Sequence, residues 1–209
     1  MGHRRPVFAR YYARASVRME PFLAPHRRAL LDGLSGRVIE IGAGNGLNFG
    51  HYSAPISHVL AVEPEPHLRG LARDAATRAG VPVTVVAGLA DPLPAADASF
   101  DAAVACLVLC TVPDQAAALA EIRRVLRPGG ELRFFEHVAA ESSGRRRVQR
   151  ALQATVFPLL AGGCHCARDT AAAIESAGFT IRRAVRLGPA DTGIPFPTAP
   201  QVLGIAVRS

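Results

Sequence analysis

From residue 36 onward the chain alternates short apolar bursts with longer stretches in which apolar residues recur every three or four positions. The bursts Arg37 to Ile41, His58 to Val62, Val83 to Ala87, Asp101 to Cys106 and Glu131 to Val138 are short and aliphatic, and they read as buried strands. Between them, Pro66 to Ala79 and Asp114 to Leu126 carry helical periodicity. Asp114 is placed to cap the second of these helices, and Arg127, Pro128 and Gly129 close it. Beyond the fifth strand, Arg145 to Leu160 and Arg168 to Ala177 predict two further helices, the latter stopped by Gly178. Phe179 to Leu187 and Gln201 to Val207 predict two strands joined by a loop holding Pro189, Pro195, Pro197 and Pro200, an antiparallel pair at the sheet edge. The first 35 residues set Val7, Phe8, Tyr11, Tyr12, Ala15, Phe22, Leu23, Leu30 and Leu31 among arginines. The spacing predicts two amphipathic helices broken near Pro21 and Pro25.

Strands that alternate with helices pair in parallel with helices on both faces. The fold class is therefore α/β, a doubly wound, seven-stranded, mostly parallel sheet with an antiparallel C-terminal hairpin and an N-terminal helical cap. Neither an internal repeat nor a low-complexity linker divides the chain, so residues 1–209 are expected to form one domain.

Composition agrees, since 209 residues that are 49% hydrophobic can bury a full core. The net charge is +7, and all 24 basic residues are arginine, which excludes Schiff-base and lysine general-base chemistry. The arginines cluster at the N-terminus (Arg4, Arg5, Arg10, Arg14, Arg18, Arg27, Arg28) and at Arg145, Arg146, Arg147 and Arg150. These clusters read as solvated helix faces. Weak peripheral contact with an anionic membrane through the N-terminal arginines is the alternative, and no nucleic-acid partner is assigned. No apolar run reaches membrane-spanning length and the N-terminus lacks a secretory pattern, so a cytoplasmic protein with reduced cysteines is expected.

The candidate chemistry begins at Val38 to Gly46, VIEIGAGNG, where an aliphatic strand runs directly into Gly42, Gly44 and Gly46. Glycines at that position let backbone amides approach a ligand at the carboxyl end of the strand. The spacing is G-x-G-x-G, not the G-x-G-x-x-G of dinucleotide enzymes. Glu40, just before the loop, suits a ligand carrying an ammonium group. Glu63, ending the second strand, suits a pair of ribose hydroxyls.

These segments resemble the class I S-adenosylmethionine-dependent methyltransferases. VIEIGAGNG resembles their first motif, AVEPEP their acidic second-strand motif, SFDAAVACLVLCTV their fourth-strand motif, and LRPGG the turn before their fifth strand. More narrowly, LVLC (Leu107 to Cys110), RRVLRPGG, EHVAAE (Glu136 to Glu141) and GGC (Gly162 to Cys164) with Arg168 resemble the methyltransferase-like subfamily that methylates small alkyl thiols. The resemblance implies S-adenosyl-L-methionine as cofactor and S-adenosyl-L-homocysteine as product. It implies a donor-binding core over 36–138, with acceptor-side helices and the hairpin over 139–209. It places Gly42 and Gly44 beside the methionine moiety, Glu63 on the ribose, Gly88 and Leu89 at the adenine, and Cys106 and Leu107 in the wall of the methyl-donor pocket. Ala43, Asn45, Gly46, Asn48 and Pro64 join them as cofactor-binding residues. The segment Gly88-Leu89-Ala90 lacks the acidic residue frequent in the family, which leaves Asp91 or backbone to meet the adenine amino group.

Methyl transfer from a sulfonium mainly requires the acceptor to be held in line, an effect worth up to about 7–11 kcal/mol. A thiol acceptor must also lose a proton, for which a positioned base contributes about 10²–10⁴-fold. His137 beside Glu136 is the first candidate and His165 the second. Cys164, His165 and Cys166 can approach Cys106 or Cys110, but C-x-C with C-x-x-x-C is not a structural zinc spacing, so no metal is assigned and the cysteines read as small buried groups. The expected activity is methyl transfer to a small, apolar acceptor, with a thiol favoured over a phenol or quinone. A non-catalytic donor-binding module at a membrane surface and a nicotinamide-dependent oxidoreductase are the readings from other classes.

Overall fold

In a computed structural model, the described residues are 6–155, 162–194, 197–198 and 200–209. The elements in order are α1 (Pro6–Leu31), β1 (Gly36–Ile41), a 3-10 turn (Phe49–His51), β2 (Ile56–Val62), α2 (Pro66–Ala76), β3 (Val83–Val86), β4 (Phe100–Cys106), α3 (Gln115–Val125), β5 (Leu126–His137), α4 (Ser143–Gln153), α5 (Thr170–Ser176), β6 (Phe179–Leu187), α6 (Pro189–Thr192) and β7 (Gln201–Arg208). The seven strands form one sheet in the order β3-β2-β1-β4-β5-β7-β6. The first five are parallel, whereas β7 runs antiparallel to both β5 and β6. The sheet is thus the seven-stranded mixed α/β sheet expected from the alternation of patterns.

Strands read as continuous apolar runs because both faces are covered. Ile39, Ile41, Ala103, Ala105, Leu132 and Phe134 point into one core with Leu119 and Ile122 of α3 and Ile174 of α5. Val38, Ala102, Val104 and Phe135 point into the other, with Leu23, Leu30 and Leu31 of α1 and Ala72 of α2. The alternation puts Glu40 on the α1 side, between Ile39 and Ile41, which face away from it.

Three expectations are corrected. The N-terminal segment is one helix through both Pro21 and Pro25. Both prolines lie on its solvent face, so the carbonyls that lose a donor, those of Val17 and Pro21, belong to exposed residues that water can reach, while Leu23, Arg27, Leu30 and Leu31 anchor the opposite face. LRPGG is not a turn ahead of β5 but its first part. Phe100 pairs with Leu126 and Ala102 with Glu131, so residues 127–130 bulge out of the ladder, with Gly129 at φ +76°. The last two helices are shorter than expected: α4 covers Ser143–Gln153, with 156–160 outside the described residues, and α5 starts at Thr170, capped by Asp169. Asp114 caps α3 through a hydrogen bond from the Ala117 amide, 2.9 Å, as its position suggested. Pro195, in the loop between β6 and β7, is also outside the described residues.

Candidate active site

The carboxyl ends of β1, β2, β4 and β5 converge on the glycine loop. Gly42, Gly44 and Gly46 have φ of +65°, +58° and +79°, a region in which side chains are strained. A Cβ on Gly42 would strike the side chain of Val108, and one on Gly46 would meet Ala75 and Phe49 inside 3 Å. Gly44 lies under the Tyr12 ring of α1, 3.5 Å from where a Cβ would stand. The Glu63 carboxylate accepts from the amides of Gly44 and Glu65, both at 2.8 Å. Burial pushes its pKa up while those two amides pull it back. The carbonyls of Glu63 and Pro64 are held by Arg69. Asn45 reaches back to Ser16 of α1, 3.1 Å.

Glu40 is buried and satisfied on both oxygens, by Asn48 Nδ2 at 2.8 Å and by the Tyr52 hydroxyl at 2.8 Å. Burial outweighs these bonds and raises its pKa to about 7. Asn48 in turn accepts from Arg27 Nη1 at 2.8 Å, and the same Nη1 lies 3.2 Å from Cys106 Sγ. Arg27, only 5% exposed, also donates through Nε to Glu20 at 3.0 Å. One polar chain therefore runs from α1 through the loop to the end of β4. Burial raises the Cys106 thiol to about 11, so it is uncharged at neutral pH beside the guanidinium. Leu107 follows in the left-handed region at φ +59°, its amide donating to Phe135 O at 2.7 Å, which turns the chain sharply at the strand end. Gly88 sits against Val62 and Pro94, with Leu89 more than a third exposed, and Asp91 is exposed.

Beyond Leu107, Glu136 is wholly buried and accepts from the amides of Val108, Leu109 and Cys110 at 2.9, 2.8 and 3.0 Å. Arg168 holds the same loop from the other side, donating to the carbonyls of Leu109, Val112 and Pro113. Between them lie Cys110, Cys164 and Cys166, all buried, with the half-buried His137. His137 Nδ1 is 3.4 Å from Cys110 Sγ and 3.5 Å from Cys164 Sγ. A hydrogen bond from the Cys110 thiol holds Cys164 well below the usual thiol range, and Cys110 is raised in return. Gln149 of α4 ties this region together, donating to the carbonyls of Val138, Cys166 and Pro197 and accepting from the Ala140 amide.

The structure thus brings Glu40, Asn48 and Cys106 into one cluster and His137 into another with Cys110 and Cys164. Cys106 stands apart from Cys164, facing Arg27 instead. His165 is half-buried beside Cys164, its amide bonded to Cys110 O at 2.7 Å. Arg27, expected among the solvated N-terminal arginines, is instead buried, because Glu20 and Asn48 satisfy its guanidinium. Tyr52 and Gln149 were not singled out from the sequence, and Glu136 only as the neighbour of His137 in EHVAAE. A groove of about 950 Å³ lies on the outer side of the loop between α1 and α2, among Arg10, Arg14, Arg18 and Arg78.

A methyltransferase-domain family model matches residues 39–134, the span from β1 into β5. The chain is 34% identical over 183 residues to thiol S-methyltransferase TMT1B of Homo sapiens, covering 85% of this chain and 74% of that protein. Its Mus musculus counterpart is 36% identical over 186 residues with the same coverage. A SAM-dependent methyltransferase of Thermotoga maritima superposes with a TM-score of 0.71, covering 97% of this chain and 99% of the other at 22% identity. With the sheet order, the glycine loop and these relatives in agreement, the chain belongs to the class I methyltransferases, enzymes whose cofactor is S-adenosyl-L-methionine.

Proposed function

We propose that the acceptor is a small thiol. The observation that carries this reading is the reach of the likeness to the thiol S-methyltransferases. At 85% of the chain it extends well past residues 39–134 into the part that lines the acceptor side. When bound, the cofactor supplies an electrophilic methyl group on a sulfonium.

The residues present fit that cofactor. Three left-handed glycines leave backbone room over the loop, and the Glu63 oxygens keep lone pairs for the ribose hydroxyls beside their bonds to Gly44 and Glu65. Glu40, with Asn48, supplies negative potential at the ammonium end. Ala43, Asn45, Gly46 and Pro64 shape the loop around the donor, Gly88 and Leu89 cover the adenine without an acidic partner, and Cys106 and Leu107 face the methyl. On the acceptor side, His137 has Nδ1 turned to the two cysteines, which in the metal-free site leaves Nε2 for the acceptor's proton, and His165, adjoining Cys164 in the chain, is the second candidate.

Purified protein incubated with labelled donor and a panel of thiols, phenols and quinones tests this. Label is expected on small alkyl thiols; transfer to phenols or quinones with none to any thiol would refute it.

The outer face of α1 supports a weak peripheral contact with a cytoplasmic anionic membrane. Val7 and Tyr11, 83% and 65% exposed, stand beside exposed Arg10 and Arg14, although no helix among the described residues is long and apolar enough to cross a membrane. Co-sedimentation with anionic vesicles, lost on deleting residues 1–20, is the expected outcome. Equal sedimentation of the truncated chain would exclude it.

A further inference from the structure

We infer that Cys110, His137 and Cys164 form a zinc site with one open coordination position. The three donor atoms, Sγ, Nδ1 and Sγ, all lie within 4.8 Å of one another. A tetrahedral zinc with Zn–S of about 2.3 Å and Zn–N of about 2.0–2.1 Å sets each S···N edge near 3.5 Å. The two S···N distances here are 3.4 and 3.5 Å. Both S···N edges thus already match a tetrahedral site, and a mixed thiolate and imidazole set selects zinc over magnesium or calcium.

Two further observations point the same way. The ligands are held by neighbours, as metal ligands usually are. Glu136 grips the Cys110 amide, Arg168 grips the carbonyls on either side of it, and the His165 amide ties the Cys164 segment to Cys110 O. Gln201 lies opposite His137 in the β5–β7 register and is fully buried, yet neither its Nε2 nor its Oε1 has a partner. Side chains opposite one another in an antiparallel pair are neighbours on one face. An orphaned amide next to the His137 ring is what a site that receives a further polar group leaves behind.

Among the described residues no fourth Cys, His, Asp or Glu completes the set; Cys166 is buried in the same cluster but outside the three-atom group. Three protein ligands with a fourth position open is the pattern of zinc sites that bind a reactant. Resting on the thiol reading above, the open position takes the acceptor sulfur. With zinc bound, His137 is a ligand through Nδ1 and keeps its proton on Nε2, so coordination replaces the histidine as the means of activation. The thiol proton passes to solvent, and the sulfur lone pair then forms the new S–CH3 bond as the donor's methyl–sulfonium bond breaks, its electron pair remaining on the donor sulfur. This departs from the sequence reading, which assigned no metal.

The test uses the full chain, reduced and stripped of metal, dialysed against zinc chloride, and separately against cobalt(II) as a spectroscopic stand-in. One zinc per chain is expected, with cobalt giving thiolate charge-transfer and tetrahedral visible bands that Cys110→Ser and Cys164→Ser each abolish and Cys106→Ser leaves intact. If a serine variant fails to fold, alkylation mapping of the wild-type chain decides, because zinc should protect Cys110 and Cys164 from the reagent. No stoichiometric zinc in the reduced wild type, or cobalt bands that survive both serine variants, would overturn the site. Thiol methylation that proceeds equally in stripped and zinc-loaded protein would overturn its role in activation while leaving the thiol reading standing. Zinc bound as described with no thiol methylated would overturn the thiol reading and leave the site.

Discussion

Glu40→Gln separates what the loop carboxylate does for the donor from what it does for the fold. Its pKa of about 7 in place of an ordinary 4.5 means that the folded chain binds this proton more tightly than the unfolded chain does. A carboxyl raised in this way adds stability below pH 4.5 that is lost as pH rises through 7. At about 1.4 kcal/mol per pH unit, the loss across that window is roughly 3 kcal/mol. Glutamine imitates the protonated acid closely. Asn48 must donate to it, because Asn48 Oδ1 is committed to Arg27, so the variant's Oε1 accepts from Asn48 and its amide donates to the Tyr52 oxygen, as the protonated carboxyl would. Urea unfolding at a series of pH values should therefore find the two proteins near parity at pH 4.5 and the variant roughly 3 kcal/mol more stable at pH 8. Donor affinity measured by calorimetry at pH 8 should move the other way. Loss of one charge-assisted hydrogen bond, about 1.5–3 kcal/mol, weakens binding by ten- to more than a hundredfold. An unchanged pH slope in the variant, or a variant less stable than wild type at pH 8, would refute the reasoning about burial.

Three other outcomes follow from contacts described above. Gly42→Ala drives a methyl group into Val108 at a left-handed backbone position and should abolish measurable donor binding while the melting temperature falls by only a few degrees; unchanged donor affinity would remove the loop from the donor site. Gln149→Leu removes the hydrogen bonds to three carbonyls and from the Ala140 amide and should cost about 4 kcal/mol in unfolding free energy, at about 1 kcal/mol for each bond. A loss under 1 kcal/mol would mean that water replaces it. Arg168→Met frees the carbonyls of Leu109, Val112 and Pro113, so hydrogen exchange should quicken at the 108–112 amides and not in α2.

The strands were legible because a parallel sheet covered on both faces writes itself as uninterrupted aliphatic runs, and Asp114 was legible because a cap is a local event. Pro21 and Pro25 misled because a helix tolerates proline better where the freed carbonyl faces water and the opposite face is anchored, and that depends on which face the neighbouring layer covers. LRPGG misled because a bulge and a turn use the same residues. In the site, Gly42, Glu40 and Glu63 stand within one strand–loop–strand unit and announce themselves together. Arg27 meets Cys106 across 79 residues, and His137 meets Cys110 and Cys164 across 27 in each direction. No local pattern encodes such meetings. Of the two cysteines the sequence offered as partners for the C-x-C pair, the structure brings up Cys110 and not Cys106, and of the pair only Cys164 joins the histidine ring.

The position of β7 between β5 and β6 sets the order of synthesis against the order of pairing. Residues 179–187 leave the ribosome before residues 201–208, yet β6 has no other strand to pair with and must wait for them. Until then His137 and its neighbours at the end of β5 lack the wall that β7 provides, so the proposed acceptor side depends on the last strand of the chain.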